Sequence, residues 1–256
     1  MTKVLVEKTP RPVWEFLNVN CYEAWEGFYK MGYDVGFFSH SGDELSLPFD
    51  WELDRDTIVY GSIQSTRLAL KKLGVEQPHA LDYPGELTEF LGRKLERTTM
   101  GEFKRRLDEY DFGQPYFVKP VEHKLFSGVV VKNFADLIRI AHVPDDTEVW
   151  MSNFVNIKSE WRIFVLRGQV AGFKHYNGNA WMLPSKFQVE RMIGAYKSAP
   201  VAYSLDVGVV AEGTAGNSTC LVEVNDAFAL GAYGLPSIKY CQMIEARWKE
   251  LVGCQS

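Results

Sequence analysis

The fold is decided by the stretch Leu221-Val222-Glu223-Val224-Asn225, in which apolar and polar residues alternate from Val222 onward. The alternation predicts a β-strand, because side chains two positions apart on a strand point to the same face. Glu223 and Asn225 then present two oxygen ligands on one face, while Val222 and Val224 face the other way. A carboxylate flanked by apolar strand residues usually has a partner, since charged groups are rarely buried alone.

A second acidic residue, Asp206, lies within the apolar strand-like segment 204–208. If this strand pairs with the strand that carries Glu223 and Asn225, the three side chains meet. A set of Asp, Glu and Asn oxygens without His or Cys suits Mg²⁺, which keeps several waters and also binds substrate phosphates. The sequence therefore predicts a magnesium site, with a solvated polar strand face as the alternative.

Three cations lie on other predicted strands. Lys119 follows an apolar run, Arg162 lies inside another, and Lys174 stands near the end of a third. Ammonium groups and a planar guanidinium can converge on one polyphosphate, although each is also explained as a surface residue whose stem covers apolar neighbours. The Ser127-Gly128 turn can aim backbone N–H groups at phosphate oxygens, or it can be an ordinary hairpin loop.

Familiar nucleotide signatures are absent from the sequence. The chain has no Gly-x-x-x-x-Gly-Lys-Ser/Thr loop, which argues against a P-loop enzyme. It has no Gly-x-Gly-x-x-Gly between a strand and a helix, which argues against a dinucleotide Rossmann site. The motifs of zinc metalloproteases and of hydrolases with a Gly-x-Ser-x-Gly elbow are also missing.

The composition is that of a globular protein of 256 residues with a net charge of −5. An acidic chain gains little from counterion release at a phosphate backbone, so nucleic acid is disfavoured as the main partner. The sequence shows no signal peptide and no run of the roughly 20 apolar residues that a membrane helix needs. We expect a cytoplasmic protein without membrane association, whose four cysteines are reduced: Cys21, Cys220, Cys241 and Cys254.

The order of predicted elements divides the chain. The first third alternates strands and helices, which is typical of a small parallel α/β unit, whereas strands dominate from residue 98 onward. We predict an N-terminal α/β domain over residues 1–85 and a second domain over 86–256. The second domain is expected to consist of a central subdomain, about 98–180, and a C-terminal metal-binding subdomain, 181–256.

Taken in order, these segments resemble the ATP-grasp superfamily, and its small stand-alone members in particular. The resemblance covers roughly residues 95–234 and rests on these landmarks: Phe117-Val118-Lys119-Pro120, 124–128, 149–155, Glu160-Trp161-Arg162-Ile163-Phe164-Val165, Lys174, Asp206-Val207-Gly208 and Val222-Glu223-Val224-Asn225. It implies an ATP-grasp fold of mixed α+β and α/β class, in which two α+β subdomains grip ATP behind a small α/β N-terminal domain.

The resemblance also implies where ATP binds. Lys119 would contact the α- and β-phosphates, and Ser127 and Gly128 would belong to a mobile loop over the triphosphate. Glu160 would hold the ribose hydroxyls. The adenine would pair with the backbone of a hinge strand formed by Met151, Ser152, Asn153 and Phe154. Val155 would lie against the face of the adenine.

The same resemblance implies which residues serve the reaction. Arg162 and Lys174 would reach the phosphates as the catalytic cations, and Asp206, Glu223 and Asn225 would hold one or two Mg²⁺ ions. The implied reaction is an ADP-forming ligation. A carboxylate of a small molecule or peptide is activated as an acyl phosphate and is then joined to an amine.

Other functions stay open at the level of sequence. They are a kinase of a small molecule on the same fold, a non-catalytic ATP-binding regulator, and a plain α/β interaction module whose charges are surface charges. The acceptor pocket is open as well, with Gly61-Ser62 and Tyr233-Gly234 as the segments expected to border it. A homodimer is compatible with the sequence.

Overall fold

The computed structural model describes residues 2–10, 13, 15–109, 114–121, 125–211 and 217–253. These residues form three four-stranded sheets and six α-helices, which confirms the predicted mixed α+β class. Within the described ranges, no helix combines the length and the apolar content that crossing a membrane requires. Two residues named above, Lys124 within the 124–128 segment and Cys254, lie outside the described residues.

The first sheet is built from strands β1 (Lys3–Glu7), β2 (Asp34–Ser41), β3 (Glu44–Ser46) and β4 (Ile58–Tyr60). The strand order is β3-β2-β1-β4, in which β1 pairs in parallel with β2 and β4, while β3 is an antiparallel edge. β1 and β4 are buried almost throughout, as expected for parallel strands covered on both faces.

Two helices pack against this sheet, α1 (Val19–Lys30) and α2 (Ile63–Lys72). α1 begins at Val19, because the Asn18 side chain accepts hydrogen bonds from two amide groups of its first turn. α2 ends before Gly74, whose positive φ is one that glycine adopts without strain.

The second sheet contains β5 (Leu95–Thr99), β6 (Tyr116–Pro120), β7 (Val129–Val131) and β8 (Glu148–Asn153). Its order is β5-β8-β6-β7, and all pairs are antiparallel. Helices α3 (Met100–Glu109) and α4 (Phe134–Ile138) pack against it. The sequence did not predict β5, because this edge strand is polar and its Arg97 pairs with the exposed Glu148 of β8.

The third sheet contains β9 (Ile157–Leu166), β10 (Gln169–Gly178), β11 (Ala202–Ala211) and β12 (Asn217–Asp226). Its order is β10-β9-β11-β12, again with antiparallel pairs. A tight turn at Arg167 and Gly168 joins β9 to β10. Both residues have positive φ angles, 50° and 71°, which suit a two-residue hairpin.

The membership of this sheet favours a subdomain boundary other than the predicted one near residue 180. β9 pairs with β11 along its length, so β9 and β10 belong with β11 and β12 rather than with the second sheet. The cause is the apolar face of β9, where Trp161, Ile163 and Val165 share one core with β11 and with α5 (Lys186–Ala195). The chain passes from the second to the third sheet between residues 153 and 157, and we propose this as the subdomain boundary.

The last helix, α6 (Ser237–Val252), returns to the N-terminal sheet. It packs against α1 and β4, and its buried residues share a core with β1 and β4. Tyr240 and Trp248 are among the largest fully buried side chains of this core. The first α/β unit is therefore completed by C-terminal residues, and we propose that residues 1–85 and α6 fold as one unit.

The contact between α1 and α6 yields a test of this arrangement. A Cβ atom on Gly27 would overlap the Ser237 carbonyl group, whose carbon lies 2.7 Å from the ideal Cβ position, and the Cys241 sulfur. We expect Gly27→Ala to lower the free energy of unfolding by about 1–3 kcal/mol, because the helices must move apart.

The matched control is Gly194→Ala in α5, where nothing lies within 4 Å of the added methyl group. We expect this change to stabilise the protein by about 0.5–1 kcal/mol, through the higher helix propensity of alanine. Urea denaturation of both variants gives the comparison. Equal stability of the two would show that α1 and α6 do not pack as described.

Candidate functional site

Four charged side chains form one row across the third sheet. The register places Lys174 opposite Arg162, Arg162 opposite Asp206, and Asp206 opposite Glu223. Directly opposed residues on antiparallel strands have adjacent side chains on one face of the sheet. These four residues, here called the charged row, therefore line a single surface, and the apolar side chains of β9 and β11 fill the core on the opposite face.

A bidentate ion pair lies at the centre of the charged row. Arg162 Nε donates to Asp206 Oδ1 and Arg162 Nη2 donates to Asp206 Oδ2, each over 2.7 Å. The two residues are only 8% and 2% exposed. Burial opposes the charge of Arg162, but hydrogen bonding to Asp206 raises its pKa above the ordinary value. Burial raises the pKa of the Asp206 carboxyl, against the opposing effect of Arg162.

The three predicted metal ligands meet beside this pair. Asn225 Nδ2 donates to Asp206 Oδ2 and to Glu223 Oε1, each over 3.3 Å. No group of three His, Cys, Asp or Glu side chains suited to a metal occurs in the part of the chain that the structure describes. Asp206, Glu223 and Asn225 provide two carboxylates and one amide. Each can offer an oxygen atom to a metal ion, and a set of oxygen ligands fits Mg²⁺ rather than Zn²⁺.

A β-bulge in β12 determines which side chains reach this face. Glu223 pairs with Asp206, whereas Leu221 pairs with the next residue of β11, so Val222 is the extra residue. Leu221 and Val224 both lie in the core. The prediction that Val222 and Val224 point the same way is therefore wrong, because the bulge interrupts the alternation of the strand. Val222 instead borders a cavity on the site side.

Lys119 reaches the charged row from the second sheet. Its Nζ lies 2.8 Å from Asp82 Oδ1 and 2.9 Å from Glu223 Oε2, and it lies over the Tyr83 ring, 4.7 Å from the centroid. Burial disfavours the ammonium, but attraction by Glu223, Tyr83 and Asp82 is larger and raises the pKa of Lys119 above its ordinary value. The predicted phosphate lysine and a predicted metal ligand are thus in direct contact.

Two residues at this junction were not found by sequence reasoning. Asp82 is 6% exposed, and its carbonyl accepts the Val224 amide over 2.8 Å. Arg93 donates to the carbonyl oxygens of Leu221 and Val222 over 2.7 and 2.9 Å. Both lie in an irregular segment without strand or helix periodicity, so the sequence carries no signal that sets them apart from surface charges.

A cavity of about 270 Å³ opens between the second and third sheets. Five of the residues that line it are those that the resemblance assigned to adenine and ribose: Ser152, Asn153, Phe154, Val155 and Glu160. Phe117 and Val130 form the wall on the second sheet, and Ile157 and Val222 form the wall on the third. The side chain of Met151 lies elsewhere, in the core of the second sheet.

The polar groups of the hinge are only partly engaged. Ser152 Oγ is buried and has no hydrogen-bond partner among the described residues. The Phe154 amide donates to the Pro115 carbonyl over 3.0 Å, so it is not free to pair with a base. Ser152 is therefore a buried polar group at the cavity that a ligand can satisfy.

The carboxylate of Glu160 is fixed at the edge of the same cavity. It accepts hydrogen bonds from Tyr176 Oη and from Asn177 Nδ2, each over 2.9 Å. Burial, together with the Asp206 and Glu160 carboxylates, raises the pKa of Tyr176. Tyr176 therefore stays neutral as a donor and holds Glu160 in one orientation.

The remaining predicted residues have fewer contacts. Gly128 lies against Phe117, whose Cζ atom would be 2.6 Å from a Cβ atom at this position, so a larger residue would displace the Phe117 ring. Ser127 is exposed. Lys174 is half-buried and forms no ion pair with any described residue. A contact of these three residues with phosphate stays a prediction.

A family model gives the most direct comparison. The sequence matches a model described as an ATP-grasp domain of the R-2-K clade, family 2, over residues 90–243, which is more than half of the chain. No curated protein sequence matches the chain.

Solved structures share the architecture at low sequence identity. One is a RimK domain ATP-grasp protein from Sphaerobacter thermophilus DSM 20745, with 16% identity, 98% coverage of each chain and a TM-score of 0.54. Another is the D-alanine–D-alanine ligase from Bacillus anthracis complexed with ATP, with 14% identity, coverage of 99% and 98%, and a TM-score of 0.54. A third is the ATP-grasp ligase PsnB complexed with a precursor variant, Mg and ADP, with 13% identity, coverage of 97% and 98%, and a TM-score of 0.54.

The Lys119 contacts generate a prediction about stability and pH. Replacing Lys119 by Met leaves the carboxylates of Asp82 and Glu223 without their cation, and we expect a loss of about 3 kcal/mol in the free energy of unfolding at pH 7. Although burial raises the pKa of Glu223, attraction by Lys119 is stronger and holds it below the ordinary value of 4.5. In the native protein this pairing therefore contributes stability above pH 4.5, and the contribution is lost as the pH falls through the lowered pKa.

In Lys119→Met the pKa of Glu223 is expected to rise instead, because burial is no longer opposed. Protonation then relieves the unpaired charge, so the stability difference from the native protein should shrink between about pH 7 and pH 5. The control is Lys104→Met, which breaks a pair with the exposed Asp145 and should cost less than about 1 kcal/mol. A Lys119→Met penalty that stays constant with pH would contradict this electrostatic assignment.

Proposed function

The chain belongs to the R-2-K clade, family 2, of ATP-grasp domains, and from this membership we propose that it is an ATP- and Mg²⁺-dependent ligase. It would activate a carboxylate as an acyl phosphate and join it to an amine, releasing ADP and phosphate. The observation that carries the proposal is the meeting of Lys119, Arg162, Glu223 and Asn225 beside a cavity whose wall is the predicted adenine hinge.

We propose that the base and ribose occupy the cavity and that the triphosphate extends over the charged row. The volume of about 270 Å³ is smaller than that of most pockets that enclose a whole drug-sized ligand, so it suits one end of ATP. Ser152 Oγ offers an unused polar group to the base, and Glu160 offers its carboxylate to the ribose hydroxyls. Glu160 and Arg162 lie two apart on β9, which puts the ribose and phosphate positions on the same face.

The charges of the site favour a triphosphate that binds together with a metal cation. Without nucleotide, Lys119 neutralises Glu223 and Arg162 neutralises Asp206. A triphosphate draws Lys119, Arg162 and Lys174 towards its oxygens, which leaves the carboxylates in need of another cation. Mg²⁺ held by Glu223 and Asn225, with Asp206, would supply that charge and neutralise the phosphate oxygens.

In the proposed reaction, a carboxylate oxygen of the first substrate attacks the γ-phosphorus, and the bond from the γ-phosphorus to the β-bridging oxygen breaks to release ADP. The amine nitrogen of the second substrate then attacks the acyl carbon, phosphate leaves with the bonding electrons, and the nitrogen loses one proton. Arg162 and Lys174 would position the phosphoryl group, and Lys119 would offset the charge of the α- and β-phosphates. Positioning and charge neutralisation are the main demands of phosphoryl transfer. The cleft between the two sheets limits access of water to the acyl phosphate.

Both classes of substrate named in the prediction stay within the proposal. Among the similar structures, PsnB is complexed with a precursor variant, and the Bacillus anthracis enzyme is a D-alanine–D-alanine ligase. The identities of 13% and 14% transfer the fold alone, so the carboxylate of this chain's substrate is proposed only as that of a small molecule or a peptide.

The test compares the native chain with the double variant Glu223→Gln, Asn225→Ala. Gln keeps a hydrogen-bond acceptor for Lys119 but removes the charge that would hold Mg²⁺. Nucleotide at about 100 times its Kd should stabilise the native protein by about 2.7 kcal/mol, in a magnesium-dependent manner, and should stabilise the double variant much less. Thermal unfolding with and without Mg-ATP measures this difference.

The control is Glu190→Gln, which makes the same change on the exposed face of α5 and should respond to Mg-ATP like the native protein. ADP release that needs both a carboxylate and an amine, with an amide as product, supports the ligase. A stable phosphorylated product without an amide would identify a kinase, and binding without ADP release would identify a regulator. The absence of any nucleotide effect in the native chain would contradict the proposal.

A further inference from the structure

A second cavity, of about 230 Å³, lies at the other side of the charged row. Arg162 and Asn225 form its boundary with the row, and α2 contributes Ile63 and Arg67. It shares no lining residue with the proposed nucleotide cavity, so a base and ribose placed there leave this space open. Its volume suits a molecule of amino-acid size rather than a folded partner.

Arg67 is the unusual residue of this second cavity. Its Nη2 donates to the Pro78 carbonyl over 3.1 Å, which fixes the guanidinium, whereas its Nε is buried without a hydrogen-bond partner. Within the described ranges, Arg67 forms no salt bridge with any carboxylate. A buried guanidinium donor without an acceptor is unfavourable, so a ligand that supplies one is favoured there.

The other charged groups around the cavity are already neutralised. Arg162 is paired with Asp206, and the Asp226 carboxylate accepts from Arg247 Nε and Nη2 over 2.8 and 2.6 Å. His79 at the rim is exposed. The uncompensated charge of the lining is therefore the positive charge of Arg67. Ile63 and Phe228 are the larger apolar residues beside it.

We propose that this cavity binds the amine substrate of the ligase, that this substrate is an amino acid, and that Arg67 recognises its free carboxylate. A planar guanidinium suits a carboxylate because it donates two parallel hydrogen bonds. An amino acid carries its amine one carbon away from that carboxylate. With the carboxylate at Arg67, the amine can turn towards Arg162 and Asn225, where the acyl phosphate would form. This inference rests on the proposed function and adds the chemical class of the amine.

Arg67 is a specificity-determining residue in this scheme, because the carboxylate that it binds does not react. The amine nitrogen forms the new amide bond, and the amino-acid carboxylate leaves the reaction unchanged in the product. An amine without a carboxylate would leave the charge of Arg67 unpaired and would bind poorly.

The experiment measures binding, so it does not depend on the unidentified first substrate. Native protein with Mg²⁺ and a non-hydrolysable ATP analogue is titrated with the common amino acids, and the best ligand is compared with its carboxamide and its decarboxylated amine. We expect the amino acid to bind at least about tenfold more tightly than either analogue. Arg67→Gln should remove that preference, and Arg67→Lys should retain part of it. Isothermal titration calorimetry gives the affinities.

The control is Arg139→Gln, the same change at an exposed arginine that follows α4, which should keep the native preference. Stabilisation by Mg-ATP, measured on each variant, shows that it is folded. If Mg-ATP stabilises the native protein but no amino acid binds, or the carboxamide binds equally well, the inference about Arg67 is wrong and the proposed ligase stands. If Mg-ATP itself has no effect, the proposed function fails first. Selective binding of a dicarboxylate without an amine would overturn the assignment to the amine substrate.

Discussion

The buried ion pair of Arg162 and Asp206 is the constraint on which the rest of the site depends. Removing either charge from water costs several kcal/mol, so both can be buried only together and with their hydrogen-bonding groups satisfied. The bidentate geometry meets that condition and holds β9 and β11 in one register. Asn225, Glu223 and then Lys119 connect to the pair in turn. A single polar network thus joins the third sheet to the second.

Part of this arrangement is predictable because it is local. The alternation around Glu223 and Asn225, the turn at Arg167 and Gly168, and the start of α2 follow from neighbouring residues, and the structure has all three. The ATP-grasp fold is also confirmed, by the family model and by the architecture shared with solved structures that are 13–16% identical.

The unpredicted part is non-local. The pairing of β9 with β11 joins strands that are separated along the chain by β10 and α5, and only the shared core with α5 decides it. Asp82 and Arg93 have roles because irregular chain passes next to β12, and no periodicity marks such residues. The return of α6 to the first sheet likewise depends on packing of residues far apart in the chain, including the close approach at Gly27.

The bulge at Val222 has a consequence for how this protein can change during evolution. Before the bulge the odd-numbered Leu221 faces the core, whereas after it the odd-numbered Glu223 and Asn225 face the charged row. Substitutions at single positions do not alter which side chains face the core and which face the charged row. The loss of one residue would turn one half of the strand over relative to the other. Either the core would receive a carboxylate or the site would receive a leucine. Relatives that retain this chemistry should therefore vary in residue type along β12 while keeping its length, and insertions or deletions should collect in the loops that flank it.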